Sequence, residues 1–262
     1  SFLARNFKCA DYVERQEVLC DLARNNFSVL GLNHIRVHQA DGIDYLQQMD
    51  KVDCLFLDPA RRDGNGGKTV AISDCEPDVC QLEPLLVEKG GVVMVKLSPM
   101  LDMASALNDL KHVRQVHVVA VNNECKELII ILEKPEDTVN SIDNEKTIVC
   151  EQVVNNSASQ HFSYTLSEEK NAVCTIADKV GTYLYEPGAA LLKAGPYKLL
   201  SARYGVGKLH PNSHLYTSAH AVDFPGRCFR VIAVSGFGKK ELKDFMKGVE
   251  KANLTIRNFP SS

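Results

Sequence analysis

The chain has 262 residues, 45% of them apolar and 24% charged, the make-up of an ordinary globular protein with room for one large domain or two to three small ones. No run approaches the roughly 20 apolar residues that cross a bilayer, so no membrane-spanning helix is expected within these residues. The net charge of −3 hides an asymmetry: residues 187–262 carry a balance of +8 and the remainder −11. A basic end on an acidic front points to a polyanion-binding module attached to something else. The nine cysteines are odd in number and form no CxxC pair. Reduced thiols in a cytoplasmic protein explain them better than disulfides or zinc, and no metal is expected.

In chain order, residues 1–7 read as the end of a helix and 8–14 as a strand with Glu14 at its carboxyl end. Residues 16–30 form an amphipathic helix, with Val18, Leu19, Leu22, Ala23, Phe27 and Leu30 at helical spacing and Gly31 just past its end. A short strand over 35–38 ends near Asp41-Gly42, and a helix over 43–48 leads to Val52–Leu57. Five of those six residues are apolar without alternation, which predicts a strand buried on both faces of a parallel sheet. Pro59 has no amide hydrogen for a ladder, so this strand stops at Asp58. Pro77 opens a helix that Gly90-Gly91 stops. A strand over 92–97, a helix over 102–110 and a strand pair over 113–121 and 127–133 follow. Residues 135–146 hold two apolar side chains and four acids and read as a linker. Beyond it come a hairpin over 147–154 and 161–166 and a third strand over 172–176. Tyr183 to Pro187 leads to two short helices, ended by Gly195 and Gly205. A strand over 228–234, a helix over 239–249 and a strand over 254–258 close the chain. Strand and helix alternate, so an α/β fold with a parallel sheet is predicted.

Three of these strands end on an acid: Glu14, Asp41 and Asp58. In a doubly wound sheet the carboxyl ends lie along one edge, where ligands bind. An acid after one strand accepts both hydroxyls of a ribose, and an acid after the next accepts from an adenine amine. The pattern fits an adenosine-containing cofactor.

Tyr12-Val13-Glu14-Arg15, Gln39-Ala40-Asp41-Gly42 and Asp58-Pro59-Ala60-Arg61-Arg62 resemble the post-strand motifs of class I S-adenosylmethionine-dependent methyltransferases. The terminal segment closing on Ile256-Arg257-Asn258-Phe259-Pro260 resembles the THUMP-like domain that follows such enzymes. The resemblance implies a Rossmann-like methyltransferase sheet over residues 1–135, a linker over 136–146, a ferredoxin-like subdomain over 147–187 and a THUMP-like RNA-binding domain over 188–262. The family's first strand and glycine-rich loop have no counterpart here. The expectation is therefore a truncated catalytic domain that binds cofactor weakly or not at all. On this resemblance Glu14 and Arg15 hold the ribose of S-adenosylmethionine, Asp41 and Gly42 its adenine, and Asp58 lines both cofactor and target. Asp58, Pro59 and Arg61 form the transfer site, with Ala60 and Arg61 where amine methylases carry a stacking aromatic. Arg61 can stack by its guanidinium plane. No cysteine stands at Leu97-Ser98-Pro99, which disfavours a covalent route. The resemblance thus implies methylation of RNA, transfer or ribosomal, at an exocyclic amine.

Arg62, Lys239, Lys240, Lys243 and Lys247 are the candidate RNA contacts, the lysines sharing one region of a helix surface. The rival reading is a non-catalytic RNA-binding or assembly protein that keeps the fold, and a DNA or protein substrate is a third. His210, His214 and His220 read as a solvated loop, not a metal set. Tyr183, Tyr185 and Tyr197 read as core or interface residues. Residues 64–69 lack the four-residue gap of a phosphate loop.

Overall fold

A computed structural model describes residues 2–61, 71–134, 145–154, 159–236 and 238–251. They divide into two units, one of residues 1–95, 104–112 and 132–134, the other of 96–103, 113–131 and 135–262.

The first unit holds β1 (Ala10–Glu14), α1 (Glu17–Val29), β2 (Ile35–Gln39), α2 (Gly42–Gln48), β3 (Val52–Leu57), β4 (Ala60–Arg61), β5 (Cys75–Glu76), α3 (Val79–Lys89), most of β6 (Gly90–Leu97) and nearly all of α4 (Met103–Asp109). The segment before β1 is a 3-10 turn, Leu3–Asn6. β1 and β2 pair in parallel, Tyr12 opposite Val37 and Glu14 opposite Gln39. β3 and β6 also pair in parallel, Leu55 opposite Val93. α1 buries Cys20 and Ala23, and its Phe27 meets Tyr12 edge-on, ring centres 5.6 Å apart. Gly31 closes the helix at φ +69°, a conformation that strains any side chain. Asp41 caps α2, accepting from the amides of Ile43 and Asp44.

Two expectations change here. Pro77 does not open α3; Asp78 does, its carboxylate accepting from the amides of Cys80 and Gln81. A proline that lacks a donor is tolerated before a cap as readily as after one. β3 is not buried on both faces either, because Phe56 is 49% exposed and Cys54, Leu55 and Leu57 are half-buried. By contrast β6 buries Val93, Val95 and Leu97. One buried charge organises the end of this unit. Glu83, 3% exposed, accepts from the amides of Lys111 (2.8 Å) and His112 (2.7 Å) and sits 3.2 Å from His112 Nδ1.

The second unit holds β7 (Val113–Val121), most of β8 (Glu124–Leu132), β9 (Thr147–Val153), β10 (Gln160–Thr165), α5 (Leu166–Asn171), β11 (Tyr183–Pro187), α6 (Ala189–Ala194), α7 (Tyr197–Tyr204), β12 (Gly207–Lys208), β13 (Tyr216–Ser218), β14 (Gly226–Arg230) and α8 (Lys239–Phe245). One sheet here runs β10-β9-β7-β8 and another β12-β13-β11-β14. β7 and β9 are parallel, β9 and β10 antiparallel. Asn122 (φ +49°) and Asn123 (φ +62°) make a two-residue turn, so β8 begins at Glu124 and not at 127. Asn123 Oδ1 then accepts from the Ala189 amide at the start of α6.

The third strand expected over 172–176 is absent. Thr165 and Glu168 form a capping box that starts α5 just before it, and Ile176 makes a single bridge to Lys208. β14 ends at Arg230, short of the predicted 234. Most of the linker, the turn at 155–157, and the strand over 254–258 lie outside the described residues. The core centres on Tyr185, Tyr216 and Phe224, with ring centres 5.2 to 5.5 Å apart. Tyr185 is fully buried, and its hydroxyl donates to His220 O and accepts from the Val222 amide. Burying a phenol this way requires such partners. Tyr197 stacks on His214 at 3.8 Å, so that histidine is a packing residue rather than part of an open loop. No group of three metal-ligating side chains forms among the described residues, and all nine cysteines are free thiols.

Candidate cofactor site

The parallel pairing of β1 and β2 brings Glu14 and Asp41 to the same end of two adjacent strands. Ala40 N–H donates to Glu14 O at 3.1 Å, so the strand ends are tied together by the backbone. Each acid is fixed through one oxygen. Glu14 Oε1 accepts from the Gln16 amide at 2.8 Å, where the chain turns into α1. Asp41 Oδ1 accepts from Ile43 N at 2.8 Å and Asp44 N at 3.3 Å. Glu14 Oε2 and Asp41 Oδ2 have no hydrogen-bond donor among the described residues. Two carboxylates, each anchored by backbone amides at the ends of adjacent strands, suit a ligand with several neutral donors, such as a ribose diol and an amine. Nothing lies within 4 Å of the position a side chain on Gly42 would take, so the space beside Asp41 is open.

Arg15 is exposed at the turn after Glu14. Asp58 and Pro59 stand at the carboxyl end of β3, which pairs with β6 and belongs to a different sheet from β1 and β2. Pairing therefore unites Glu14 and Asp41 and does not extend to Asp58. Arg61 continues from Asp58 in β4, opposite Cys75. Arg62 lies outside the described residues. Lys239, Lys240 and Lys243 are exposed on α8, which buries none of its residues, and Lys247 follows the helix.

Sequence reasoning missed a cluster on the other side of the β1–β2 pair. Asp11 takes two bonds from Arg36, at 2.7 and 2.8 Å, and a third contact from His38 Nε2 at 2.8 Å. Tyr45 of α2 sits against the same imidazole. Partial burial raises the Asp11 pKa, but the hydrogen bonds from Arg36 and His38 outweigh it and hold the carboxyl below its ordinary value. The signal was present, since Arg36 and His38 alternate on one face of a strand, but the register that sets them opposite Asp11 is tertiary. Two shifted thiols are packing residues. Burial pushes the Cys80 thiol up to about 11, helped by Asp78, and the Cys150 thiol up to about 12. Neither is a nucleophile at neutral pH.

No helix among the described residues is long and apolar enough to cross a membrane. Residues 183–225 match the model of a ferredoxin-like domain family. No curated protein matches the chain. Among solved structures, the chain is similar to a proposed methyltransferase from Porphyromonas gingivalis W83, at 35% identity and a TM-score of 0.86. The match covers 99% of this chain and 64% of that one, so the chain spans just under two-thirds of the length of the protein it resembles.

Proposed function

We propose that this chain is part of an S-adenosylmethionine-dependent methyltransferase acting on RNA. The observation that carries the reading is the pair Glu14 and Asp41, each fixed by backbone amides and each with one unengaged oxygen at the end of adjacent parallel strands. The likeness to a protein described as a proposed methyltransferase supports it.

On this reading residues 1–135 are a Rossmann-like catalytic domain. Glu14 accepts from the ribose hydroxyls of the cofactor, with Arg15 beside it, and Asp41 accepts from the adenine amine, with Gly42 leaving room for the ring. S-adenosylmethionine, when bound, supplies an electrophilic methyl group. The protein's own part is positioning rather than acid–base work. Asp58 accepts a hydrogen bond from the exocyclic amine of the target base and orients its lone pair. Pro59 shapes the loop, and Arg61 stacks on the base or holds a phosphate. The +8 balance of residues 187–262 and the exposed Lys239, Lys240, Lys243 and Lys247 favour RNA as the substrate, with a THUMP-like domain as its holder in the cytoplasm.

The test has two arms. Calorimetric titration of the full-length natural protein with S-adenosylmethionine should show binding that Glu14→Gln and Asp41→Asn each weaken at least ~10-fold, because each removes a charged acceptor. Nucleoside mass spectrometry of RNA from a deletion strain should show one methylated base missing. Cofactor binding indifferent to both substitutions, together with an unchanged nucleoside profile, rejects the proposal and leaves the non-catalytic RNA-binding reading.

A further inference from the structure

α2 is seven residues long and buries only Leu46. A helix of about two turns has little stability of its own, so its direction is set by what holds its ends. The far end is fastened by Lys89 Nζ, which donates to Met49 O at 2.6 Å. The near end carries Asp41. The bonds from the Ile43 and Asp44 amides fix the Asp41 carboxylate to the helix, but they do not fix the helix to the strands.

That second connection runs through Asp11. Its carboxylate takes two bonds from Arg36, at 2.7 and 2.8 Å, and lies 2.8 Å from His38 Nε2. Tyr45 reaches the same place from α2. Its ring packs on the His38 imidazole, centres 4.9 Å apart, and its hydroxyl lies 3.4 Å from Nε2 and hydrogen-bonds Asp11. Burial, and after it the Asp11 charge, raises the pKa of the phenol, which keeps this hydroxyl a donor. The Tyr45 amide donates to Asp41 O at 3.0 Å. His38 stands three residues before Asp41 and Tyr45 four after it, so Asp41 lies on a short stretch of chain whose two ends close on one carboxylate.

An exposed Asp–Arg pair across two strands fixes register and contributes little else. It has no need of a tyrosine from a helix. Asp11 is also the inner partner, its side chain 25% exposed against 65% for Arg36. Nor does Asp11 compete for the ligand. It is three residues from Glu14 on β1, an odd step, which puts the two carboxylates on opposite faces of the strand.

We infer that Asp11, acting through His38 and Tyr45, is a positioning residue for the candidate cofactor site: the cluster sets where Asp41 stands relative to Glu14, and so how strongly the site selects a ligand that carries the adenine amine. The inference rests on the cofactor reading given above.

The test uses the full-length natural protein and two ligands, S-adenosylhomocysteine and its analogue with hydrogen in place of the adenine amine. Calorimetry gives the ratio of their affinities. The wild type should prefer the amine, and Asp41→Asn should remove most of that preference. Asp11→Asn, and the milder Tyr45→Phe that deletes one hydroxyl, should each cut the preference at least ~3-fold. Neither should change it further when combined with Asp41→Asn, because both act through that residue. In the ligand-free protein, amide exchange at Ile43 and Asp44 should quicken ~10-fold or more in both variants. If Asp41→Asn lowers the preference while Asp11→Asn and Tyr45→Phe leave it intact, the inference is overturned and the cofactor reading stands; equal weakening of both ligands by these two variants is the same result, a plain loss of stability. A preference that Asp41→Asn itself leaves intact overturns the cofactor reading, and the inference falls with it. Exchange at Ile43 and Asp44 equal to that of the wild type in both variants overturns the inference as well.

Discussion

β3 and β11 are strands of similar length with opposite surroundings. β3 is the more apolar of the two, yet it is half-exposed throughout. β11 contains two tyrosines and a glutamate, yet Tyr185, Glu186 and Pro187 are buried. β11 has a partner on each side, β13 and β14, and β3 pairs with β6 alone among the described residues. Burial therefore follows the number of neighbours a strand acquires, not its hydrophobicity. The same contrast separates the two candidate roles. In the second unit several polar groups are engaged internally: the Tyr185 hydroxyl, the Glu169 carboxylate on the amides of Lys198 and Leu199, and Ser201 on Val206 O, while Gln152 Oε1 is buried with no hydrogen-bond partner among the described residues. In the first unit Glu14 and Asp41 keep one carboxylate oxygen each without a donor among the described residues.

Several measurements can break or sharpen this contrast. The largest effect is expected for Leu200→Ala in α7. Leu200 is fully buried, and truncation should cost ~2–5 kcal/mol in denaturant unfolding, against under ~2 kcal/mol for Phe56→Ala in chain 1–262. A Phe56→Ala cost equal to that of Leu200→Ala would show β3 to be as well packed as the second core. Next comes Glu83→Leu, which leaves the Lys111 and His112 amides unpaired in a buried place and should cost ~2–4 kcal/mol. Tyr185→Phe removes the acceptor of the Val222 amide and should cost ~1–3 kcal/mol, with cofactor affinity unchanged. Thr165→Ala deletes the cap of α5 for ~1 kcal/mol.

The smallest effect is a pH dependence. Burial lowers the pKa of His117, so the unfolded chain binds this proton more readily than the folded one. Stability from this group is complete above its ordinary value of 6.5 and is lost as the pH falls through the lower folded value. His117→Gln should flatten the unfolding midpoint over that interval. A midpoint that rises on acidification in the wild type and not in the variant would reverse the assignment.

Much of the chain was legible in its residues. Gly31, Gly195 and Gly205 marked helix ends, and all three take positive φ. The apolar runs located β1, β3, β6 and β7 to within about two residues. What misled were segments where capping outcompeted propensity. Thr165 and Glu168 start a short helix, α5, that the apolar pattern did not show, and Ala172 to Ile176, which has strand-forming residues, makes only an isolated bridge from Ile176 to Lys208. Pro77 had a plausible place in a first turn, but Asp78 offered the amides a side-chain acceptor that proline does not. The candidate site was half legible: acids after successive strands could be read, but the union of Glu14 with Asp41 depends on strand pairing, and Asp58 lies beyond that pair.

The sequence by itself determined the local grammar: where strands and helices run, which glycines end them, which acids follow strands, and that the basic charge gathers toward one end. Those are properties of a residue and its near neighbours, set by backbone sterics and by the period of the apolar positions. Only the tertiary structure decided that Asp11 faces Arg36, that Glu83 holds the amides of residues 111 and 112, and that β1 pairs with β2 while β3 pairs with β6. Each joins atoms well separated along the chain, and no local preference fixes which of the possible long-range pairings closes.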